Sequence, residues 1–145
     1  MTLQTDIAII GAGPGGYVAA LRAAQMGADV TVIDKRRAGG VCLNEGCIPT
    51  KAMLRTAEVY ALARGAGTFG VGVQGVSLDW GAAQKRMRAV VEQEVRGVEM
   101  LLSRAGVRLL IGEAAFMRPD ILSVRLEDGE ERVQARQILI ATGSR

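Results

Sequence analysis

Thr5-Asp6-Ile7-Ala8-Ile9-Ile10-Gly11-Ala12-Gly13-Pro14-Gly15-Gly16 changes character abruptly at Gly11. The residues before it, 5–10, read as a short buried strand. A glycine-rich turn follows through Gly16. A helical run opens near Gly15, continues to Met26 and stops at Gly27. Residues 29–33 carry a second β-branched run, which ends at Asp34. Strand, turn, helix and strand within the first 34 residues make a βαβ unit, and so an α/β domain built on a parallel sheet.

Gly11-x-Gly13-x-x-Gly16 has dinucleotide-binding spacing, and it sits where that spacing has meaning, between a strand and a helix. Gly11 permits the tight turn. Gly13 lets a pyrophosphate approach the backbone, and Gly16 lets helix and strand pack closely. Pro14 and Gly15 complete the turn at a helix N-terminus, which offers free N–H groups and about half a positive charge. Asp34 ends the second strand and suits the hydroxyls of an adenosine ribose; it would repel a 2′-phosphate. A glycine-rich turn that binds nothing, with Asp34 capping a strand, is the alternative. The turn alone does not separate FAD from NAD.

Outward from this unit, residues 35–47 read as a loop holding both cysteines. A helix opens near Pro49 and runs to about Arg64, with proline in the first turn, where its missing N–H is not needed. Residues 65–79 read as irregular, although Val71 and Val73 alternate. A long helix covers about 80–105, its stripe formed by Met87, Val91, Val95, Val98 and Leu102, and Gly106 stops it. Strands are expected at 107–112, 114–118, 121–126 and 131–135, a small antiparallel meander with Asp128-Gly129 as its hairpin turn. Residues 137–141 form a last buried strand leading to Thr142-Gly143-Ser144.

Composition narrows the function classes. The 145 residues suit one domain. A net charge of +3, from 18 basic and 15 acidic residues, is too small and too mixed for a nucleic-acid binder. Lys35-Arg36-Arg37 is a short basic cluster, read as a solvated loop or as phosphate contacts. No apolar stretch reaches the ~18 residues of a membrane span. The N-terminus lacks the pattern of a secretory signal, so a cytoplasmic protein is expected. In that compartment two close cysteines serve redox or metal chemistry more readily than a structural bridge. The chain contains no histidine. The commonest general base and the commonest metal ligand are both missing.

Cys42 and Cys47 are five apart. On a regular helix their Cα atoms would be roughly 8.6 Å apart. A disulfide needs less than about 7 Å. A bridge therefore requires a distorted turn, which Asn44 and Gly46 tolerate. Cys47 would then stand at the start of the Pro49 helix, where the helix end and Lys51 lower a thiol pKa. In that arrangement Cys47 is the inner, flavin-facing thiol, and Cys42, further out, exchanges with substrate. Two inert thiols or a metal site are the alternatives, and two cysteines alone make a poor zinc site.

Gly39-Gly40-Val41-Cys42-Leu43-Asn44-Glu45-Gly46-Cys47-Ile48-Pro49-Thr50-Lys51 resembles the redox-disulfide motif of the FAD-dependent pyridine nucleotide–disulfide oxidoreductases. The resemblance covers essentially the whole chain. Leu43-Asn44 and the run from Ile48 to Leu54 look most like the dihydrolipoamide dehydrogenase branch. The resemblance implies a Rossmann-like FAD-binding domain. Gly11, Gly13 and Gly16 would hold the pyrophosphate, with Asp34 and Lys35 at the adenosine end. Gly40, Val41 and Cys42 would border the cofactor, Lys51 would stabilise reduced flavin, Gly112 and Ala114 would meet the adenine, and Thr142, Gly143 and Ser144 would close the site. The family more often has glutamate at the place of Asp34. Glu45 stands where a small or apolar residue is common, and a carboxylate there would raise the thiol pKa values. The resemblance further implies NAD as co-substrate, a dihydrolipoyl group of the acyltransferase in a 2-oxo acid dehydrogenase complex as electron donor, and a homodimer. Family chains are about three times longer, so residues 1–145 correspond to an N-terminal FAD-binding segment without the NAD-binding and dimerisation domains. Alternatives are a fragment of a mercuric or glutathione-type reductase, half of a split enzyme, or a non-catalytic nucleotide-binding module.

Overall fold

β1 (Thr2–Ile10) and β2 (Val30–Asp34) lie parallel, with Ile7 opposite Val30 and Ile10 opposite Ile33. Helix α1 (Pro14–Gln25) crosses between them. The computed structural model describes residues 2–144. After β2 come the short α2 (Gly40–Asn44), α3 (Cys47–Gly65), a 3₁₀ turn (Ala66–Phe69) and the long α4 (Trp80–Arg104). The strands β3 (Arg108–Ile111), β4 (Glu113–Arg118), β5 (Ile121–Leu126) and β6 (Gly129–Ile140) follow. All six strands form one sheet in the order β3-β2-β1-β6-β5-β4. The first four in that order run parallel, and β6-β5-β4 is an antiparallel meander.

The pleat separates two cores. Ile9, Val30 and Val32 face α1 and α4, and meet Ala20, Val91, Val95, Val98 and Leu102. Ala8 and Ile33 face the other way and cluster with Leu122, Val124 and Val133. Coverage of both faces is why β2 reads as a continuous apolar run. The α4 stripe packs as its spacing predicts. Asp79 caps the helix, accepting from the Ala82 N–H at 2.9 Å. Gly106, at φ +74°, ends it.

Three expectations need correction. Residues 35–47 are not one loop: Gly39 and Gly40 take φ +101° and +59°, and α2 starts there. The two strands expected at 131–135 and 137–141 are a single strand, β6. Its first half pairs with β5 while most of its length pairs with β1, so nothing interrupts it. The hairpin turn is Glu127-Asp128, one residue early, and Gly129 (φ +145°) is already paired with Leu126. Among the described residues no helix is long and apolar enough to cross a membrane.

Candidate functional site

Gly11, Asp34 and Ala141 lie at the carboxyl ends of β1, β2 and β6. The chain leaves β1 toward β2 on one side, and β6 pairs on the other. Open α/β sheets bind ligands at such switch points. A cavity of about 640 Å³ opens there. That is within the range of small-molecule sites.

The first wall is the Gly11–Gly16 turn. The Gly11 N–H donates to the Ile33 carbonyl at 2.7 Å, with φ +112°, and a Cβ there would overlap the Ala141 carbonyl. Gly13 is extended and precedes Pro14, the first residue of α1. The opening turn of α1 has N–H groups without helical partners, next to a turn that keeps no side chain at Gly11 and Gly13. Gly16 does not line the cavity; a Cβ on it would overlap the Gly11 carbonyl. Its part is close packing of helix on strand. Gly15 also lies outside the cavity and is exposed.

The second wall is the loop after β2. Asp34 Oδ2 accepts from the Ala12 N–H at 2.7 Å, and Oδ1 accepts from the Arg36 N–H at 2.9 Å. The carboxylate thus ties the glycine turn to the loop. Each oxygen keeps lone-pair capacity for one more donor. Lys35, Arg36 and Arg37 line the same space. Arg36 pairs with Glu45, and Arg37 with Glu92. Among the described residues no ion pair includes Lys35.

The third wall carries the sulfurs. Cys42 and Cys47 are bonded, with Cα atoms 4.7 Å apart. The helical path breaks between them: α2 ends at Asn44, α3 begins at Cys47, and the N–H groups of Glu45 and Gly46 both donate to the Val41 carbonyl. Cys42 is half-buried, lines the cavity and packs against the first core. Cys47 is exposed and does not line it. The expected order, with Cys42 further out, is therefore reversed in exposure. Gly40, at the start of α2, is the residue that meets the glycine turn, and Cys47 opens α3. Lys51 is exposed too, one turn along from Cys47 on the same face of α3, and outside the cavity.

Gly112, Ala114, Thr142, Gly143 and Ser144 complete the lining, as do Gly40 and Val41. Sequence reasoning missed Ile10, Ile33, Asn44, Glu45, Glu113 and Ala141 as wall residues, and left Arg36 and Arg37 between two readings. Ile10, Ile33, Glu113 and Ala141 each neighbour a residue it had named, and the shared strand ends were the available signal; Asn44 and Glu45 enter the wall from the end of α2 and the turn between the cysteines.

Comparison with known proteins gives the same direction. A family model described as pyridine nucleotide-disulphide oxidoreductase matches residues 5–145. A dihydrolipoyl dehydrogenase of Chlorobaculum parvum is 49% identical over 142 residues, covering 97% of this chain and 30% of that protein. One from Chlorobaculum tepidum is 47% identical, covering 99% of this chain and 31% of that protein. A third, from Bacillus subtilis, is 44% identical, covering 100% of this chain and 32% of that protein. The chain spans less than a third of the length of these curated relatives.

Proposed function

The chain belongs to the pyridine nucleotide–disulphide oxidoreductase family, and from that premise we propose that it is the N-terminal FAD-binding part of a dihydrolipoamide dehydrogenase-like enzyme. One observation supports this above the others: Cys42 of the Cys42–Cys47 disulfide lines the same cavity as Gly11, Gly13 and Asp34. A dinucleotide seated against the glycine turn would have the Cys42 end of the disulfide in its own pocket.

The residues present fit such a group. The turn is free of side chains at Gly11 and Gly13, and α1 supplies N–H groups for a pyrophosphate. Asp34 would accept from the adenosine ribose. Lys35 adds positive charge nearby, and Gly112 and Ala114 would border the adenine. Thr142, Gly143 and Ser144 would close the opposite side. Bound FAD would supply a two-electron relay between the disulfide and NAD.

The chain's own chemistry is thiol–disulfide exchange. A thiolate of a dihydrolipoyl group attacks one sulfur, the Cys42–Cys47 bond breaks, and a mixed disulfide forms with the other cysteine released as thiolate. The second lipoyl thiol then displaces the protein sulfur. Substrate leaves as its disulfide and the protein keeps two thiols, so two electrons have moved. Cys47, at the first position of α3, gains from the helix end as thiolate, and Lys51 adds a cation on that side. A reducing, cytoplasmic compartment suits such a pair. The homodimer and the acyltransferase partner of a 2-oxo acid dehydrogenase complex belong to this reading of the longer protein.

Titration of the purified chain with FAD, and separately with ADP, tests it. Saturable quenching of flavin fluorescence is expected, with amide shifts at Gly11–Gly16 for both ligands. If neither ligand perturbs those amides, the reading fails.

A further inference from the structure

The turn between the cysteines is fastened to the fold by side chains as well as by the disulfide. The Asn44 Nδ2 group donates to the Ala38 carbonyl at 3.1 Å and to the Gly40 carbonyl at 2.9 Å. Its Oδ1 accepts from Arg37 Nε at 2.6 Å. The Arg37 Nη1 group pairs with Glu92 on α4. Glu92 sits next to Val91, which is buried in the first core, so the far end of this chain of contacts is a rigid helix.

Helix α2 has five residues. A segment that short does not hold its shape alone. In the oxidised protein the disulfide fixes Cys42 near Cys47. Once that bond opens, the turn is held by the Val41 carbonyl contacts, the buried Leu43, the exposed Arg36–Glu45 pair and the Asn44–Arg37–Glu92 chain, and of these the last ties it to α4 through side-chain hydrogen bonds.

We propose that Arg37 and Asn44, braced by Glu92, are positioning residues that keep the Cys42 and Cys47 thiols at bonding distance in the dithiol state, and so set the thiol–disulfide equilibrium of the pair. The proposal rests on the redox reading of these cysteines. The physics is effective concentration: two thiols held in register close far more readily than two that wander. A side chain that merely stabilises the fold weighs equally on both redox states and leaves the equilibrium unmoved.

The test equilibrates the full 145-residue chain in glutathione buffers, alkylates it, and counts free thiols by mass. In the reaction one glutathione disulfide and the protein dithiol give the protein disulfide and two glutathione thiols, a balanced two-electron exchange. Arg37→Ala should lower the closing constant by about threefold to tenfold, the weight of one or two partly exposed hydrogen bonds. Glu92→Ala should move it in the same direction. Asn44→Ala should lower it at least as much, and the Arg37→Ala/Asn44→Ala double variant no further than Asn44→Ala alone, because Arg37 acts through Asn44. If Asn44→Ala does not fold, the two variants at exposed side chains carry the test. A constant within twofold of the parent for Arg37→Ala with an unchanged circular dichroism spectrum overturns the proposal, as does simple additivity in the double variant. No flavin takes part in this measurement, so its outcome is independent of the FAD titration.

Discussion

Gly13 and Gly40 meet backbone to backbone: a Cβ on Gly40 would lie 2.7 Å from the Gly13 Cα. One glycine belongs to the turn before α1, the other to the start of the cysteine segment. Their contact docks the disulfide beside the glycine turn. The Gly39 N–H supports it by donating to the Ala12 carbonyl at 2.8 Å.

Gly40→Ala should separate these two segments. It adds a methyl against backbone, which cannot rotate away, at φ +59°. The left-handed conformation alone costs an L-residue roughly 1–2 kcal/mol. Urea unfolding should show a loss of about 2 kcal/mol or more, and flavin affinity should fall at least about tenfold, since 1.4 kcal/mol is a factor of ten.

Gly97→Ala should do the opposite. Gly97 lies inside α4 without a positive φ, and a Cβ there meets nothing within 4 Å. Alanine in a helix interior is favoured over glycine by about 0.5–1 kcal/mol. A rise in melting temperature of about 2–4 °C is expected. A fall would mean that α4 bends at this point in solution.

Asp34→Ala should damage both stability and ligand binding. The carboxylate accepts the N–H groups of Ala12 and Arg36, and alanine leaves both to find other partners. A lost acceptor of this kind costs about 1–3 kcal/mol. A lower unfolding midpoint in the ligand-free chain, together with weaker ADP binding, is the expected pair of results. Loss of ADP binding at full stability would mean that the structural ties to Ala12 and Arg36 carry little weight.

These outcomes draw on features that were unequally visible in the sequence. β1, β2, the glycine turn and α4 are encoded locally: β1 and β2 by short apolar runs, the turn by its glycine spacing, and α4 by Val91, Val95, Val98 and Leu102 recurring at helical spacing. The meander was legible through its turn, though the turn sits one residue early. Helix α2 was not, because Gly39 and Gly40 look like loop residues and begin a helix only by taking positive φ. The continuity of β6 was hidden for a different reason: it depends on two strands distant in sequence, β1 and β5, that occupy its two edges. The Arg37–Glu92 pair spans 55 positions, and no local pattern announces it. The burial of Cys42 likewise depends on the first core, assembled from α1, α4 and β2.

Arg36→Ala should make the reduced cysteines less reactive. Glu45 lies between Cys42 and Cys47, and Arg36 is its partner. Paired, the carboxylate's charge is offset; alone, it opposes thiolate formation. Both side chains are more than half exposed, at 52% and 57%, so solvent weakens the effect. Iodoacetamide should alkylate the reduced variant more slowly than the parent at neutral pH and low salt. Glu45→Gln should be faster than Arg36→Ala, and the difference should shrink in about 1 M salt, where the Debye length is about 3 Å.

Cys42→Ser and Cys47→Ser should separate the two sulfurs by role. The sequence reading makes Cys47, at the start of a helix and near Lys51, the flavin-facing thiolate and Cys42 the exchanging one. Exposure runs the other way, for Cys42 is half-buried in the cavity wall while Cys47 is open. The two assignments give opposite spectra. If Cys47 faces the flavin, Cys42→Ser with bound FAD keeps a long-wavelength thiolate–flavin absorption band and loses exchange with small disulfides, and Cys47→Ser loses the band. If Cys42 faces the flavin, the band survives in Cys47→Ser instead. We expect the first pattern, because Cys47 occupies the first position of α3, where the helix end favours the charged thiolate that such a band requires. Cys42, at the third position of the five-residue α2, has no comparable helix end to stabilise it.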